Sequence, residues 1–280
     1  MVNYGRTDLA SEARSLRGAD RLPGVEVREE RLEGLRVTAV EVRPGEGARL
    51  LGKPPGHYYT LALPPRLERA AEDFPRAAQA LAALIRRCGA ARWRTVLIAA
   101  LGNPDITPDA LGNLAAAQLL VTRHLKEQGE AAFRSFASTA LCRTGVLGTT
   151  GLESAAQIRS LCRELRPDGV AAIDALAGTE LRGLCRSVQV CDTGIAPGSG
   201  VGNDREALNA QTLGCPVLAI GVPTVIDAAH FADDPALRQM FVTPRGIDSA
   251  VRGAARVVAC GLNLALHPGL TLEDIDLLLG

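Results

Sequence analysis

Arg94-Thr-Val-Leu-Ile-Ala-Ala-Leu101 runs directly into Gly102-Asn-Pro-Asp-Ile-Thr-Pro-Asp109-Ala-Leu-Gly112. The first run is apolar on both alternating faces, lacking the polar alternation of a strand with one wet side, and it stops too soon for a helix. It predicts a strand buried on both faces that ends in a polar loop at Gly102-Asn103. A buried strand, a loop and then a helix form the repeating unit of an α/β protein. The same order recurs downstream. Val170-Ala-Ala-Ile173 ends at Asp174, Ser187-Val-Gln-Val-Cys191 ends at Asp192-Thr-Gly194, and Pro216-Val-Leu-Ala-Ile-Gly221 supplies a fourth strand.

Helical periodicity fills the intervals. Phe74, Ala78, Leu81, Ile85 and Cys88 recur at three- and four-residue steps within 66–88. A second helix is expected from about Pro108 to Glu127, followed by an irregular segment to Gly151. Leu152, Ala155, Ile158, Cys162 and Leu165 mark a third, stopped by Pro167-Asp-Gly169. Residues from about Arg245 to Leu264 form another, and Thr271-Leu-Glu-Asp274 opens a short last helix with a capping-box pattern. Upstream, Leu35–Val42 and Tyr58–Leu63 are β-like runs separated by Pro/Gly turns, and residues 1–20 read as a polar arm. Without a linker-like segment, 1–280 is expected to be one α/β domain. It should hold a mostly parallel twisted sheet with helices on both faces, the β-rich stretch 25–63 extending that sheet.

Composition narrows the function. The 280 residues are 47% hydrophobic, enough for a large core, and the 31 basic and 31 acidic side chains cancel. A neutral chain with 3% aromatic residues has neither the basic footprint nor the stacking surface of a dedicated nucleic-acid binder, so no direct nucleic-acid binding is expected. The seven cysteines include no C-x-x-C pair and read as reduced, in a cytosol-like compartment. Met1–Arg6 lacks the apolar core of a secretory signal, and the longest uncharged stretch, Ala207–Ile226, is broken by glycines and prolines. The sequence therefore reads as soluble and free of membrane contact.

Carboxylates stand at the expected strand ends. Asp109, Asp174 and Asp192 are placed to converge on one sheet edge, where open α/β sheets bind their ligands. Two close carboxylates share a proton, so one serves as base toward water and the other as acid. Asp109 fits the first turn of a helix equally well, where it would complement the macrodipole. The stretch Asp192-Thr-Gly-Ile-Ala-Pro-Gly-Ser-Gly-Val-Gly-Asn203 carries alternating glycines able to approach a ligand or hold an anion. It is neither a dinucleotide fingerprint nor a P-loop, and Ser199 lacks a nucleophile elbow because Pro197 replaces the first glycine. His57, His124, His230 and His267 show no metal-ligand spacing, so no metal and no cofactor is expected.

Several segments, taken in chain order, carry a resemblance. They are Arg6-Thr-Asp-Leu-Ala10, Gly102-Asn103 with Thr107-Pro-Asp-Ala-Leu-Gly112, and Leu120-Val-Thr-Arg-His-Leu125. They continue with Thr150-Gly-Leu-Glu153, Ala172-Ile-Asp-Ala-Leu-Ala177, Asp192-Thr-Gly-Ile195, Pro197-Gly-Ser-Gly-Val-Gly-Asn203 and Ile220-Gly-Val-Pro-Thr-Val225. Over nearly the whole chain these resemble the germination protease family of spore-forming bacteria. The resemblance implies an atypical aspartic endopeptidase that starts the degradation of small acid-soluble spore proteins. It implies a zymogen, a homotetramer, a cytoplasmic location in the forespore or spore core, and a fold like that of the hydrogenase-maturation peptidases. It maps the catalytic pair onto Asp109 and Asp174, with Asn103, Asp192, Thr193, Gly198, Ser199 and Gly200 as a supporting set. Pro104 and Asn113 depart from the family pattern on either side of Asp109. Thr7-Asp-Leu-Ala-Ser-Glu12 is similar to the cleavage motif of the family's substrates, which makes Asp8–Leu9 the expected processing bond and 1–8 a propeptide. Two alternatives stand beside this reading: a metal-supported maturation-type peptidase, and a non-catalytic α/β protein that binds an anionic ligand.

Overall fold

A computed structural model describes residues 7–16, 22–199, 205–232 and 234–279. Nine strands form one sheet: β1 (Val25–Leu32), β2 (Leu35–Val42), β3 (Gly56–Ala62), β4 (Thr95–Leu101), β5 (Ser138–Gly145), β6 (Gly169–Gly178), β7 (Ser187–Cys191), β8 (Val217–Asp227) and β9 (Phe241–Val242). Their spatial order is β1-β2-β3-β7-β8-β6-β4-β5, with β9 paired to β8. The helices along the described chain are α1 (Ala10–Leu16), α2 (Glu46–Leu51), α3 (Phe74–Arg87), α4 (Leu111–Ala116), α5 (Arg123–Glu127), α6 (Leu147–Thr150), α7 (Ser154–Leu165), α8 (Ala210–Leu213), α9 (Ile247–Leu266) and α10 (Leu272–Leu279).

The sheet has two halves. β5, β4, β6 and β8 run parallel, whereas β1, β2, β3 and β7 pair antiparallel and join the parallel half through β7 and β8. Parallel order is thus confined to four strands. The connection from β6 to β7 is too short for a parallel crossover, so β7 reverses direction. β8 then fills the space between the two, parallel to β6 and antiparallel to β7. The stretch 25–63 extends this sheet as expected, beginning with a β1–β2 hairpin whose Glu33-Gly34 turn has positive φ at both residues.

Both faces are covered. α3, α4 and α9 lie on one, where Phe74, Leu81, Ile85, Leu111, Val258 and Leu262 are buried against Ile98, Ile173, Ile220 and Val190. Burying a side chain of this size contributes about 2 kcal/mol. α7 and α8 cover the parallel half of the opposite face around Leu97, Leu101, Ile158 and Ala172, and α1 and α2 cover the antiparallel half around Val40, Tyr58 and Leu51.

Two expectations fail here. The helix expected over 108–127 is broken into a short 3-10 turn at Thr107–Asp109, then α4, then α5. Between the two helices the backbone is held by partners elsewhere: Leu120 N–H donates to the Asn263 side chain, and Thr122 N–H donates to Thr139. The supposedly irregular segment before Gly151 contains β5, a full edge strand paired with β4 over Thr95–Leu101. The arm also departs from a free tail, since Thr7–Leu16 is docked and Leu9 and Ala10 are buried.

Candidate active site

β4 and β6 deliver the two central aspartates. β4 ends at Leu101, and the chain turns back at Gly102, where φ is +93° and a Cβ would lie 2.0 Å from the Asp109 carbonyl oxygen. Only glycine fits that approach. The turn aims the Asn103 N–H at Asp109, donating to Oδ2 at 2.7 Å. Asn113, one of the departures from the family pattern, ties α4 to the same turn by donating its amide to the Gly102 carbonyl at 3.0 Å. A Cβ on Gly112 would lie 2.4 Å from the Leu101 carbonyl and 2.8 Å from that of Ile173, so α4 sits directly against the strand ends. The Thr-Pro-Asp-Ala-Leu-Gly motif therefore encodes a tight loop as well as a carboxylate.

Asp174 lies within β6, level with Gly221 of β8, and is only 5% exposed. Burial pushes its carboxyl well above the ordinary carboxylate range; the nearby charges of Asp109 and Asp8 push the same way, against the Ala175 N–H. Asp109 is also raised by burial, with the Asn103 N–H opposing. The asymmetry has chemical content. Asp174 is the more strongly raised of the two, and Asp109, with a donor on its carboxylate and more exposure, is the more readily ionised member.

Both carboxyl groups line an open cleft of about 740 Å³ that also contains Asp8, Gly198, Glu153 and Arg205. At its rim Arg205 pairs with Glu153 at 3.4 Å, and Arg159 pairs with Glu206. Asp8 enters the cleft from the docked arm. Its N–H donates to the Ala177 carbonyl, the Ala177 N–H donates to its Oδ2, and Ser199 Oγ donates to its Oδ1, at 2.9, 2.9 and 2.8 Å.

The supporting set is only partly assembled. Asn103, Gly198 and Ser199 are at the cleft. Asp192 is not. Because β7 runs against β8, its carboxyl end leaves toward the opposite edge, and the Asp192 carboxylate accepts from the backbone N–H of His57 and meets the His57 ring Nδ1, both at 2.8 Å. Thr193 follows it there and donates to the Cys191 sulfur. Convergence of three strand-end aspartates is therefore replaced by two, joined by Asp8. Gly200 lies outside the described residues.

Sequence reasoning missed Gln189, Lys53 and Thr179, which hold the arm. Gln189 had one signal: it is a large polar residue in the middle of a strand that is buried at every position. The other two are common residue types in unremarkable local sequence. Among the described residues no group of three His, Cys, Asp or Glu side chains forms a candidate ligand set for a metal ion, and no helix is long and apolar enough to cross a membrane.

The class these features describe is a layered α/β protein with two aspartates, both raised by burial, on the wall of one open cleft. Residues 6–237 match the germination protease family. The germination protease of Caldanaerobacter subterraneus subsp. tengcongensis is 38% identical over 98% of this chain and 98% of its own length. Those of Clostridium perfringens and Geobacillus sp. are 34% and 38% identical, over 97% and 96% of this chain and 98% and 76% of theirs. A solved [NiFe] hydrogenase maturation protease, HycI from Thermococcus kodakarensis, overlaps 66% of this chain and 98% of its own at 17% identity and a TM-score of 0.39. The chain belongs to the germination protease family, and it is an endopeptidase of spore germination.

Proposed function

We propose that Asp109 and Asp174 form the catalytic pair of an aspartic-type endopeptidase whose substrates are small acid-soluble spore proteins. The burial of Asp174, 5% exposed, on an open cleft that Asp109 also lines is the observation that carries this reading. Ionised Asp109 takes a proton from a water molecule while Asp174 donates a hydrogen bond to the scissile carbonyl. The resulting hydroxide adds to the carbonyl carbon, and the proton gained by Asp109 passes to the leaving amine as the C–N bond breaks. Gly198 belongs to the wall of the same cleft, and Ser199 lines the adjoining pocket and holds Asp8.

The family's zymogen, homotetramer and forespore or spore-core location extend to this chain as part of the same proposal. The docked arm supports the zymogen, because Asp8 reaches the cleft from a segment, Thr7–Glu12, that carries the Asp8–Leu9 bond expected to be cut on activation. Incubation with a small spore protein of the α/β type, with and without chelator, tests the whole reading. Cleavage that survives chelator and disappears in Asp174→Asn supports it; cleavage abolished by chelator promotes the metal-supported peptidase, and no cleavage with retained anion binding promotes the binding protein.

A further inference from the structure

The arm is held by a built row of partners. Gln189 takes the main chain on both sides of Leu9: its Oε1 accepts from the Ala10 N–H at 2.7 Å, and its Nε2 donates to the Asp8 carbonyl at 3.2 Å. Lys53 Nζ donates to that same carbonyl at 2.9 Å. Two donors thus converge on the carbonyl of one peptide bond, and a side-chain amide does what a neighbouring strand's peptide group does in strand addition. Gln189 is in register with Gly221, and Gly221 with Asp174, so this grip lies in the same row across the sheet as Asp174.

Side-chain selection is equally defined. The residue-8 acid is received by the Ala177 N–H and the Ser199 hydroxyl. The residue-9 side chain is sealed to 1% exposure and the residue-10 side chain to 0%, which admits a large apolar group and then only a small one. The residue-12 acid, 4% exposed, accepts from the Thr179 N–H at 2.7 Å, the Thr179 hydroxyl at 3.0 Å and the Thr7 hydroxyl at 2.7 Å. Seating Asp8 half-buried and Glu12 buried on amide and hydroxyl donors demands close geometric fit, because each unmade bond to a desolvated carboxylate is expensive. Thr224, on the same cleft wall, keeps a buried hydroxyl without a hydrogen-bond partner among the described residues.

We infer that Gln189, Thr179, Ser199 and Lys53 form the substrate-reading row of this enzyme: the side chains that hold Thr7–Glu12 in cis take a substrate segment in trans. This rests on the peptidase reading above. The arm of the chain itself is then a cis occupant of the row. Gln189 is a positioning residue, fixing the register of the bond after the first acid, and Thr179 selects the second acid.

The probe is a fluorescent peptide spanning residues 5–14 of this chain, read by anisotropy against full-length protein carrying Asp174→Asn to prevent turnover. Wild-type arm should compete with the probe, and Leu9→Asp, which drives a charge into the sealed apolar site, should vacate the row and tighten apparent binding at least tenfold. In that background Thr179→Val and Gln189→Ala should each weaken the probe at least fivefold. A probe with Gln in place of the second acid should lose affinity against Thr179 but lose little more against Thr179→Val, a coupling that a merely structural threonine would not show. If Leu9→Asp fails to fold, hydrolysis of the same peptides by the wild-type protein replaces it: KM should rise at least fivefold in Thr179→Val and in the Gln probe, with kcat nearly unchanged. Equal binding or equal KM across these variants overturns the row. Binding that follows the row while Asp174→Asn still hydrolyses the peptide overturns the carboxylate assignment and leaves the row standing.

Discussion

Replacing Gly102 with alanine tests the geometry on which the site depends. The new Cβ would lie 2.0 Å from the Asp109 carbonyl oxygen, about 1 Å inside the closest approach that real Cβ atoms make, so the Asp109 turn must retreat by that much. The φ of +93° adds a separate penalty of about 1–2 kcal/mol for an L side chain. Overpacking of a tight contact costs about 1–3 kcal/mol more, for a sum of roughly 2–5 kcal/mol. For a chain of this size the midpoint of thermal unfolding should then fall by roughly 5–15 °C. Activity should fall more steeply, because a shift of about 1 Å in a catalytic group costs on the order of 100-fold. Gly214→Ala is the control: φ there is +76° but nothing lies within 4 Å of the added Cβ, so only the conformational penalty remains and activity should be kept. Scanning calorimetry and peptide-hydrolysis rates on both variants decide the matter. If Gly102→Ala melts and turns over like Gly214→Ala, the contact with Asp109 does not position that carboxylate, and the reasoning is refuted.

Four further outcomes are expected. Asp109→Asn and Asp174→Asn should each lose at least about 100-fold in kcat/KM while keeping the far-ultraviolet circular dichroism of the parent, since two groups acting as a unit fail together. Asp174→Asn should also be the more stable protein at neutral pH. The folded state of the parent keeps the Asp174 proton where the unfolded chain has lost it, so parent stability declines as pH rises from the ordinary carboxylate range toward the raised value, and the gap to the variant should close on acidification in denaturant titrations. His267 has the opposite sign. Burial lowers it from 6.5 to about 4, so the parent should lose about 3 kcal/mol as pH falls through that interval, and His267→Phe should flatten the loss. Finally, Asn263→Ala strands the Leu120 N–H and the Gln118 carbonyl, and equilibrium unfolding should show a loss of about 2–4 kcal/mol.

What the sequence disclosed follows from how local each signal is. Thr95–Leu101 is apolar on both faces, and nothing but a covered strand satisfies it; α3 carries its own periodicity, and both were legible. β5 was not, because Ser138-Thr-Ala-Leu-Cys-Arg-Thr-Gly145 is an edge strand with five of its eight residues only partly buried, and what makes it a strand is β4, far away in sequence. The break between α4 and α5 has the same origin in Asn263 and Thr139. Asp109 and Asp174 stood out because parallel strands deliver their ends to one edge. Asp192 misled for the complementary reason: a strand's residues announce burial but not direction, and β7 runs the other way. Lys53, Thr179 and Gln189 come from a helix end, a strand end and a strand interior, and only the tertiary arrangement unites them.

The insertion of β8 between β6 and β7 orders events during synthesis. Before residue 227 leaves the ribosome, β1, β2, β3 and β7 can assemble as one ribbon and β5, β4 and β6 as another, with no strand joining them. The carboxylate pair belongs to the second ribbon, and Gln189 to the first. β8 brings them into a single sheet by pairing back to β6 (Val170 with Val217) and to β7 (Val190 with Ile220), so closure comes late. A growing chain therefore carries both parts of a peptidase while lacking the assembled cleft, and cutting activity arrives only when nearly the whole chain has been made.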